Sequence, residues 1–253
     1  MKTKIYENFV QFFPLWRETT LEKRGNEIRE TKFITDVFRK LHSTIKSVID
    51  LGGGVGTHAI PLLEAGYDMT LLDRSKKALT IAKKKRSGLK IVRGSFEKLS
   101  VNKNYDAGIC MWSTLTYIFS EKGREVFYGW LKTHIKRAII LDEANFYRYS
   151  SSFHKIYLGE DENYKMKVIR DWQLTKKYLK KTKFTYEITD KKTGITKRIR
   201  DAENEQYVTL EKIQGYLGSD WHLYHLAGDY DLRKKYKPKS SKRIIAVFVR
   251  NDY

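Results

Sequence analysis

The chain has 253 residues, 41% of them hydrophobic, enough to bury the core of one large domain or of a domain with a sizeable insertion, which excludes a disordered polymer. Fifty Lys and Arg against thirty Asp and Glu leave a formal charge of +20, which draws anions from a distance without choosing among them. The single cysteine, Cys110, excludes an internal disulfide and a multi-thiolate metal site, and no apolar run approaches the roughly 20 residues that span a bilayer.

The opening "MKTKIYENFVQFFPLW" lacks a signal-peptide core and cleavage site, so a cytoplasmic location is expected. Its aromatic residues, Tyr6 and Trp16 among them, fit a helix packed on a sheet. Residues 26 to 42 place Ile28, Phe33, Ile34, Val37, Phe38 and Leu41 on one face of an amphipathic helix. A short apolar strand, "SVIDL", then runs into glycines and a helix, "THAIPLLEAG", which Gly66 closes and whose Pro61 is tolerated near the first turn.

The alternation continues with a strand at "DMTLLD", a Lys-rich helix at 75 to 86 and strands at "LKIVRG" and "YDAGICMW". A helix near 121 to 134 and a strand at "RAIILDEAN" complete it. Apolar strands alternating with helices require a mostly parallel sheet covered on both faces.

After residue 150 the pattern changes. "KMKVIRDWQLT", "YLKKTKFTYEIT" and "ITKRIRDAENEQYV" alternate β-branched and aromatic residues with polar ones, and "DKKTG" is a turn, so three antiparallel strands are expected. A helix capped by Thr209 and two strands, "WHLYHLAG" and "SKRIIAVFVR", follow. The chain thus divides into an α/β core of 1–149 and 208–253 and an antiparallel insertion of 150–207.

The charge is uneven. Residues 165 to 200 hold thirteen Lys and Arg against three Asp and Glu, half of the net charge. An outer sheet face explains the run if Val168, Trp172, Phe184, Tyr186 and Ile188 point inward while the lysines, Lys180 included, meet water.

The glycine run "DLGGGVG" joins a buried strand to a helix, a place where bare backbone can approach a ligand. A dinucleotide fingerprint would need its third glycine at Thr57, and no Gly-Lys-Ser/Thr makes a P-loop. The spacing is instead Asp50, Gly52, Gly54, Gly56, with a second acid, Asp73, ending the next strand, where it can accept two hydrogen bonds from a ribose diol.

D-x-G-x-G-x-G followed by a strand ending in Asp resembles the S-adenosylmethionine-dependent methyltransferases of Rossmann-like fold. The resemblance implies a seven-stranded, mostly parallel sheet with an antiparallel last strand and helices on both faces. It also implies an antiparallel β cap where this chain has its insertion. It places Gly52, Gly53 and Gly54 against the methionine end and ribose of S-adenosyl-L-methionine, and Asp73, beside Arg74, on the ribose hydroxyls, with Asp50 leading the motif. The family's third motif carries an acid near the adenine where this chain has Ser95, leaving Phe96 to lie against the base and Ser95 for the polar contact. "MWSTLTYI" corresponds to the fourth motif, making Met111, Trp112 and Ser113 cofactor neighbours.

Methyl transfer is an in-line displacement that needs alignment and exclusion of water, no metal, and a base only where the acceptor must lose a proton. The expected carboxyl ends of the fourth and fifth strands offer Tyr117 and Glu143 as catalytic candidates and Asn145 as a substrate contact. In the similar enzymes the N-terminal segment folds over the cofactor, which adds Tyr6 and Trp16 to the substrate contacts.

Three readings stand. The first is a methyltransferase acting on a small molecule beneath the cap. The second is an RNA or protein methyltransferase whose basic cap grips phosphates or an acidic partner. The third is a cofactor-binding protein without catalysis. Neither the oligomeric state nor the acceptor atom is legible.

Overall fold

The computed structural model describes residues 10–20, 27–41, 44–175 and 178–251. The chain divides into two units, one of 26–148 with 208–253 and the other of 1–25 with 149–207. The described residues 10–20 fall in the same unit as the insertion.

The larger unit is built on a seven-stranded sheet. Its strands are β1 (Ser47–Leu51), β2 (Asp68–Asp73), β3 (Lys90–Arg93), β4 (Tyr105–Cys110) and β5 (Ile135–Ala144), with β10 (Trp221–Ala227) and β11 (Arg243–Arg250) contributed after the insertion. Their order is β10-β11-β5-β4-β1-β2-β3, and β11 runs antiparallel to both neighbours while the other core pairings are parallel. This is the seven-stranded Rossmann-like arrangement expected from the sequence.

Strand alternation sorts the core into two layers. Val48, Leu71, Ala107, Ile109 and Ile140 face a cluster with Phe33, Ile34 and Val37 of α2 (Glu27–Lys40), Leu62 of α3 (Ala59–Glu64) and Leu79 of α4 (Lys76–Lys85). Ile49, Leu51, Cys110, Ile139 and Leu141 face the opposite cluster, with Phe127 and Leu131 of α5 (Glu121–His134) and Ile213 and Leu217 of α6 (Leu210–Leu217). Ser75, Ser120 and Thr209 cap α4, α5 and α6 by accepting from Ala78, Gly123 and Lys212 amides. No helix among the described residues is long and apolar enough to cross a membrane.

One expected face residue departs from the pattern. Ile28 is 83% exposed, while Glu30 is fully buried and shares the i, i+3, i+4, i+7 stripe with Phe33, Ile34 and Val37.

The second unit is a four-stranded antiparallel sheet, β6 (Ser152–Glu160), β7 (Tyr164–Leu174), β8 (Leu179–Asp190) and β9 (Thr196–Gln206). Sequence reading expected three strands. The additional one, β6, is an edge strand whose residues are mostly exposed, so it carries little alternation to read. Helix α1 (Phe13–Thr20) sends Leu15 into a cluster with Met166, Val168, Phe184, Tyr186 and Ile188. Gly159 permits the approach, because a side chain there would stand 2.1 Å from Thr19 Oγ1. Trp16, expected with Tyr6 among the substrate contacts, borders this cluster of the second unit, and Tyr6 lies outside the described residues.

The inward set of β8 is Lys180, Thr182, Phe184, Tyr186 and Ile188. Val168, Phe184, Tyr186 and Ile188 are buried as expected, but so is Lys180, at 1% exposure. Its Nζ pairs with Glu205 and donates to Tyr207 Oη at 3.1 Å. Rings of Tyr149, Trp172 and Tyr207 stand 5.0 to 5.6 Å away. Lys180 is thus an interior cation rather than an outer-face residue.

Candidate active site

Most of the sequence-selected residues gather at the carboxyl ends of β1 to β4. The loop after β1 takes positive φ at Gly52 (75°), Gly54 (57°) and Gly56 (83°), a backbone that side chains other than glycine resist. It is drawn onto β2 by Gly52 N–H, which donates to Leu72 O at 2.7 Å. At Gly52 a Cβ would meet Thr114 Cγ2 at 2.3 Å, and at Gly53 it would meet Asp50 Oδ2 at 2.2 Å. At Gly54 it would meet nothing within 4 Å among the described residues, so this peptide borders open space.

Asp73 ties the loop to the next strand. Its Oδ2 accepts from Gly54 N–H at 2.9 Å and its Oδ1 from Ser75 N–H at 2.7 Å. Burial raises its pKa against the opposing pull of those two amides. Each oxygen retains acceptor capacity, as a contact to a sugar diol requires.

Asp50 is different. It is 1% exposed, and among the described residues neither of its oxygens meets a hydrogen-bond partner. Burial pushes its carboxyl up to about 6, with His58 opposing the rise and Asp73 adding to it. A buried carboxylate in this condition calls for a cation or a donor.

The chain leaves β4 through Trp112 (φ 56°) and Ser113 (φ 63°), two successive side-chain-bearing residues in the left-handed region. Such strain persists only where neighbours enforce it. Asp142 is the main enforcer. Its Oδ2 accepts from Trp112 N–H at 2.9 Å and Tyr230 Oη at 2.7 Å, its Oδ1 from Arg243 Nε at 2.7 Å, and its carbonyl from Ser113 N–H at 2.8 Å. Ser113 Oγ in turn accepts from Ala144 N–H at 2.8 Å.

Around this corner, Phe96 lies 4.8 Å from Phe127 and close to Gly52. Ser95 opens the short 3-10 turn Phe96–Lys98 without capping it through its side chain. Met111 is buried, and its carbonyl accepts from Thr114 Oγ1 at 2.7 Å. The Arg74 guanidinium stands 5.9 Å from the centre of the Tyr117 ring.

Glu143 and Asn145 lie further along β5 and just beyond it. Glu143, 4% exposed, lines a cavity of about 330 Å³ whose other walls include Leu141, Tyr147, Ile213, Tyr236 and Ile244. Asn145 Nδ2 donates to Pro238 O at 2.8 Å and Ser241 O at 2.9 Å, and its Oδ1 accepts from Tyr236 Oη at 3.2 Å. Both of its amide hydrogens are therefore engaged in fixing the segment before β11, and only its oxygen retains capacity for a ligand.

Sequence reasoning passed over Glu30, His58, Thr114, Asp142, Tyr230 and Arg243. Glu30 was detectable from its place in the α2 stripe. Asp142 was hidden by its neighbour Glu143, since strand alternation sends one acid to each face and the sequence does not say which one matters.

Residues 48–137 match the family described as a methyltransferase domain. A glycine/sarcosine N-methyltransferase of Halorhodospira halochloris is 32% identical over 128 residues, which are 45% of this chain and 47% of that protein. The chain thus spans about half the length of the curated relatives it matches. A S-adenosylmethionine-dependent methyltransferase structure from Clostridium acetobutylicum superposes with a TM-score of 0.81 at 18% identity, covering 96% of this chain and 99% of that one. The S-adenosylmethionine-bound amino pentose methyltransferase CalS10 of Micromonospora echinaspora gives 0.73 at 13% identity, covering 88% and 90%. Domain match, curated relatives and shared architecture agree: residues 48–137 match a methyltransferase domain, and the sheet around them has the fold of S-adenosylmethionine-dependent methyltransferase structures.

Proposed function

We propose that the chain methylates the nitrogen of a small-molecule amine, using S-adenosyl-L-methionine. The observation that carries this reading is the coupling of an open peptide to a carboxylate, Gly54 N–H on Asp73 Oδ2 at 2.9 Å. The residues present fit the cofactor: Asp73 keeps acceptor sites for ribose hydroxyls, Gly54 borders open space, and neither oxygen of buried Asp50 meets a hydrogen-bond partner among the described residues. When bound, the cofactor supplies an electrophilic methyl carbon on a sulfonium.

The chain's own groups do the rest. Asp50 and the bare backbone of Gly52 to Gly54 would hold the amino-acid end, Asp73 with Arg74 the sugar, and Phe96 with Ser95 the base. The strained turn at Trp112 and Ser113, with Met111 before it, sets one wall of the reaction zone, and Tyr117 beneath Arg74 sets another. Glu143 orients the amine and takes its proton. Relatives named for glycine, sarcosine and an amino sugar support nitrogen as the acceptor atom.

The test pairs calorimetry with transfer of labelled methyl to glycine, sarcosine, an amino sugar and total RNA. Asp73→Asn, which keeps an acceptor for the Ser75 amide, should weaken cofactor binding by about 100-fold, equivalent to two charge-assisted hydrogen bonds. Label in an amine and none in RNA is the expected result. Label in RNA alone would transfer the reading to a nucleic-acid substrate drawn by the +20 charge. Unchanged affinity in Asp73→Asn would remove the ribose assignment.

A further inference from the structure

The cavity beside Glu143 has a floor set by strand pairing. Leu141 and Glu143 alternate onto one face of β5, and across the ladder they meet Ala246 and Ile244 of β11. The same face of β11 carries Ile244, Ala246 and Phe248, so the sheet surface drops at the alanine between two large side chains. Val208 and Ile213, at the entry and in the first turn of α6, and Leu226 of β10 wall the hollow.

Two features of this wall select an occupant. The first is its apolar volume. An apolar cavity of about 150 Å³ accepts one benzene ring, so about 330 Å³ holds such a ring with a short alkyl arm or a second fused ring. The second is charge. Although the chain carries fifty Lys and Arg, none lines this cavity among the described residues, where the acid is Glu143. Tyr147 and Tyr236 add aromatic rings, which favour a cation or a further ring. Burial, and after it Tyr147, raise the Tyr236 pKa, and its hydroxyl donates to Asn145 Oδ1 at 3.2 Å, so this side chain adds no negative charge. A carboxylate in apolar surroundings favours a cation and repels an anion.

Position ties the cavity to the reaction zone. The residues on either side of Glu143 hold the strained turn after β4, Asp142 through its carboxylate and carbonyl and Ala144 through its amide on Ser113 Oγ at 2.8 Å. We propose that the cavity receives the apolar body of the methyl acceptor, which is therefore an arylalkyl amine rather than a small polar one. The acceptor role rests on the methyl-transfer reading, whereas the preference for an apolar amine is measured without cofactor.

The experiment follows calorimetric binding of 2-phenylethylamine, 2-phenylethanol, 3-phenylpropanoate and methylamine to the full chain. The aryl amine should bind at least about 30-fold more tightly than methylamine, the factor expected from burying one aromatic ring. The alcohol should follow it and the carboxylate should bind most weakly of the three aryl compounds. Glu143→Gln should weaken the aryl amine about 10-fold and leave the alcohol unchanged. Ala246→Leu, which raises the floor, should weaken both by at least about 10-fold, and Ile28→Trp, exposed on a helix of the opposite sheet face, should weaken neither. The ligand order on the parent chain is decisive even if a variant fails to fold. With cofactor added, labelled methyl should pass to 2-phenylethylamine in preference to glycine. The proposal is overturned if methylamine binds as tightly as the aryl amine, if the carboxylate binds more tightly than the amine, or if glycine takes the label and the aryl amine does not. The expected binding order with no transfer to any amine would support the selectivity of the cavity and count against the methyl-transfer reading alone.

Discussion

The indole N–H of Trp112 donates to Oε2 of Glu30 at 3.0 Å, joining the strained turn after β4 to the interior of α2. The same oxygen meets His58 Nε2 at 2.7 Å, and the His58 and Trp112 rings stand edge-on 5.1 Å apart. Glu30 therefore holds both the loop after β1 and the turn after β4, the two walls against which the cofactor is proposed to lie. Glu30→Ala should lower stability by about 3 kcal/mol, because it removes the partner of buried His58 and of the half-buried Trp112 indole. Glu30→Gln keeps an acceptor for the indole and should retain most of the cofactor affinity. Urea unfolding and calorimetry separate the two effects, and equal behaviour of the two variants would show that the carboxylate only fills space.

Asp50 should make stability fall as pH rises between about 4 and about 6. Its pKa in the folded chain, about 6, lies above the ordinary carboxylate value because burial disfavours the charge. A group raised in this way contributes fully below its unfolded pKa and loses that contribution as pH climbs through its folded pKa. Asp50→Asn removes the dependence. It should match the parent chain near pH 4 and exceed it by about 2–3 kcal/mol at pH 7.5, while binding the cofactor less tightly. Urea titrations at the two pH values check the sign, and a variant less stable at pH 7.5 than its parent would mean that Asp50 has a partner in the folded chain.

The core was legible because each of its elements repeats a simple period. Helix α5 spans Glu121–His134, the interval expected from its apolar spacing, and the glycine loop with Asp50 and Asp73 announces itself within 24 residues of chain. What escaped depends on distance or on phase. Glu30 and Trp112 are 82 residues apart, and nothing local to either marks the bond between them. Edge strand β6 is mostly exposed and lacks the alternation that reveals β8. Lys180 was misplaced because its residue type outweighed its phase, although it stands two residues before Thr182 and four before Phe184 on the inward side.

Lys180 and Lys181, adjacent in sequence, should respond oppositely to removal. Lys180→Ala leaves Glu205 buried without its counter-ion and should cost about 3–5 kcal/mol. Lys181, exposed on the other side of β8, should cost less than about 0.5 kcal/mol. Near-UV circular dichroism during urea unfolding reports on the Trp172 and Tyr207 environment beside Lys180. Equal losses would contradict the inward phase of the strand. The double change Lys180→Met with Glu205→Leu should recover much of the loss, since well-packed apolar residues often replace a buried ion pair without penalty.

The glycine loop offers a sharper separation of folding from binding, because Gly53 and Gly54 face different surroundings. A methyl at Gly53 would press on Asp50 Oδ2 and on Leu71 Cδ1, 2.2 and 2.3 Å away, inside the protein. Gly53→Ala should therefore lower stability by about 3 kcal/mol through overpacking. A methyl at Gly54 would enter open space and bear only the left-handed backbone at φ 57°, a penalty of about 1 kcal/mol. If that space is where the cofactor rests, Gly54→Ala should weaken cofactor binding at least about 10-fold, the equivalent of 1.4 kcal/mol, with little change in melting temperature. Thermal unfolding and calorimetry on the same preparations decide the matter. A Gly54→Ala chain that binds the cofactor as its parent does would place the ligand away from the loop, whatever the fate of Gly53→Ala.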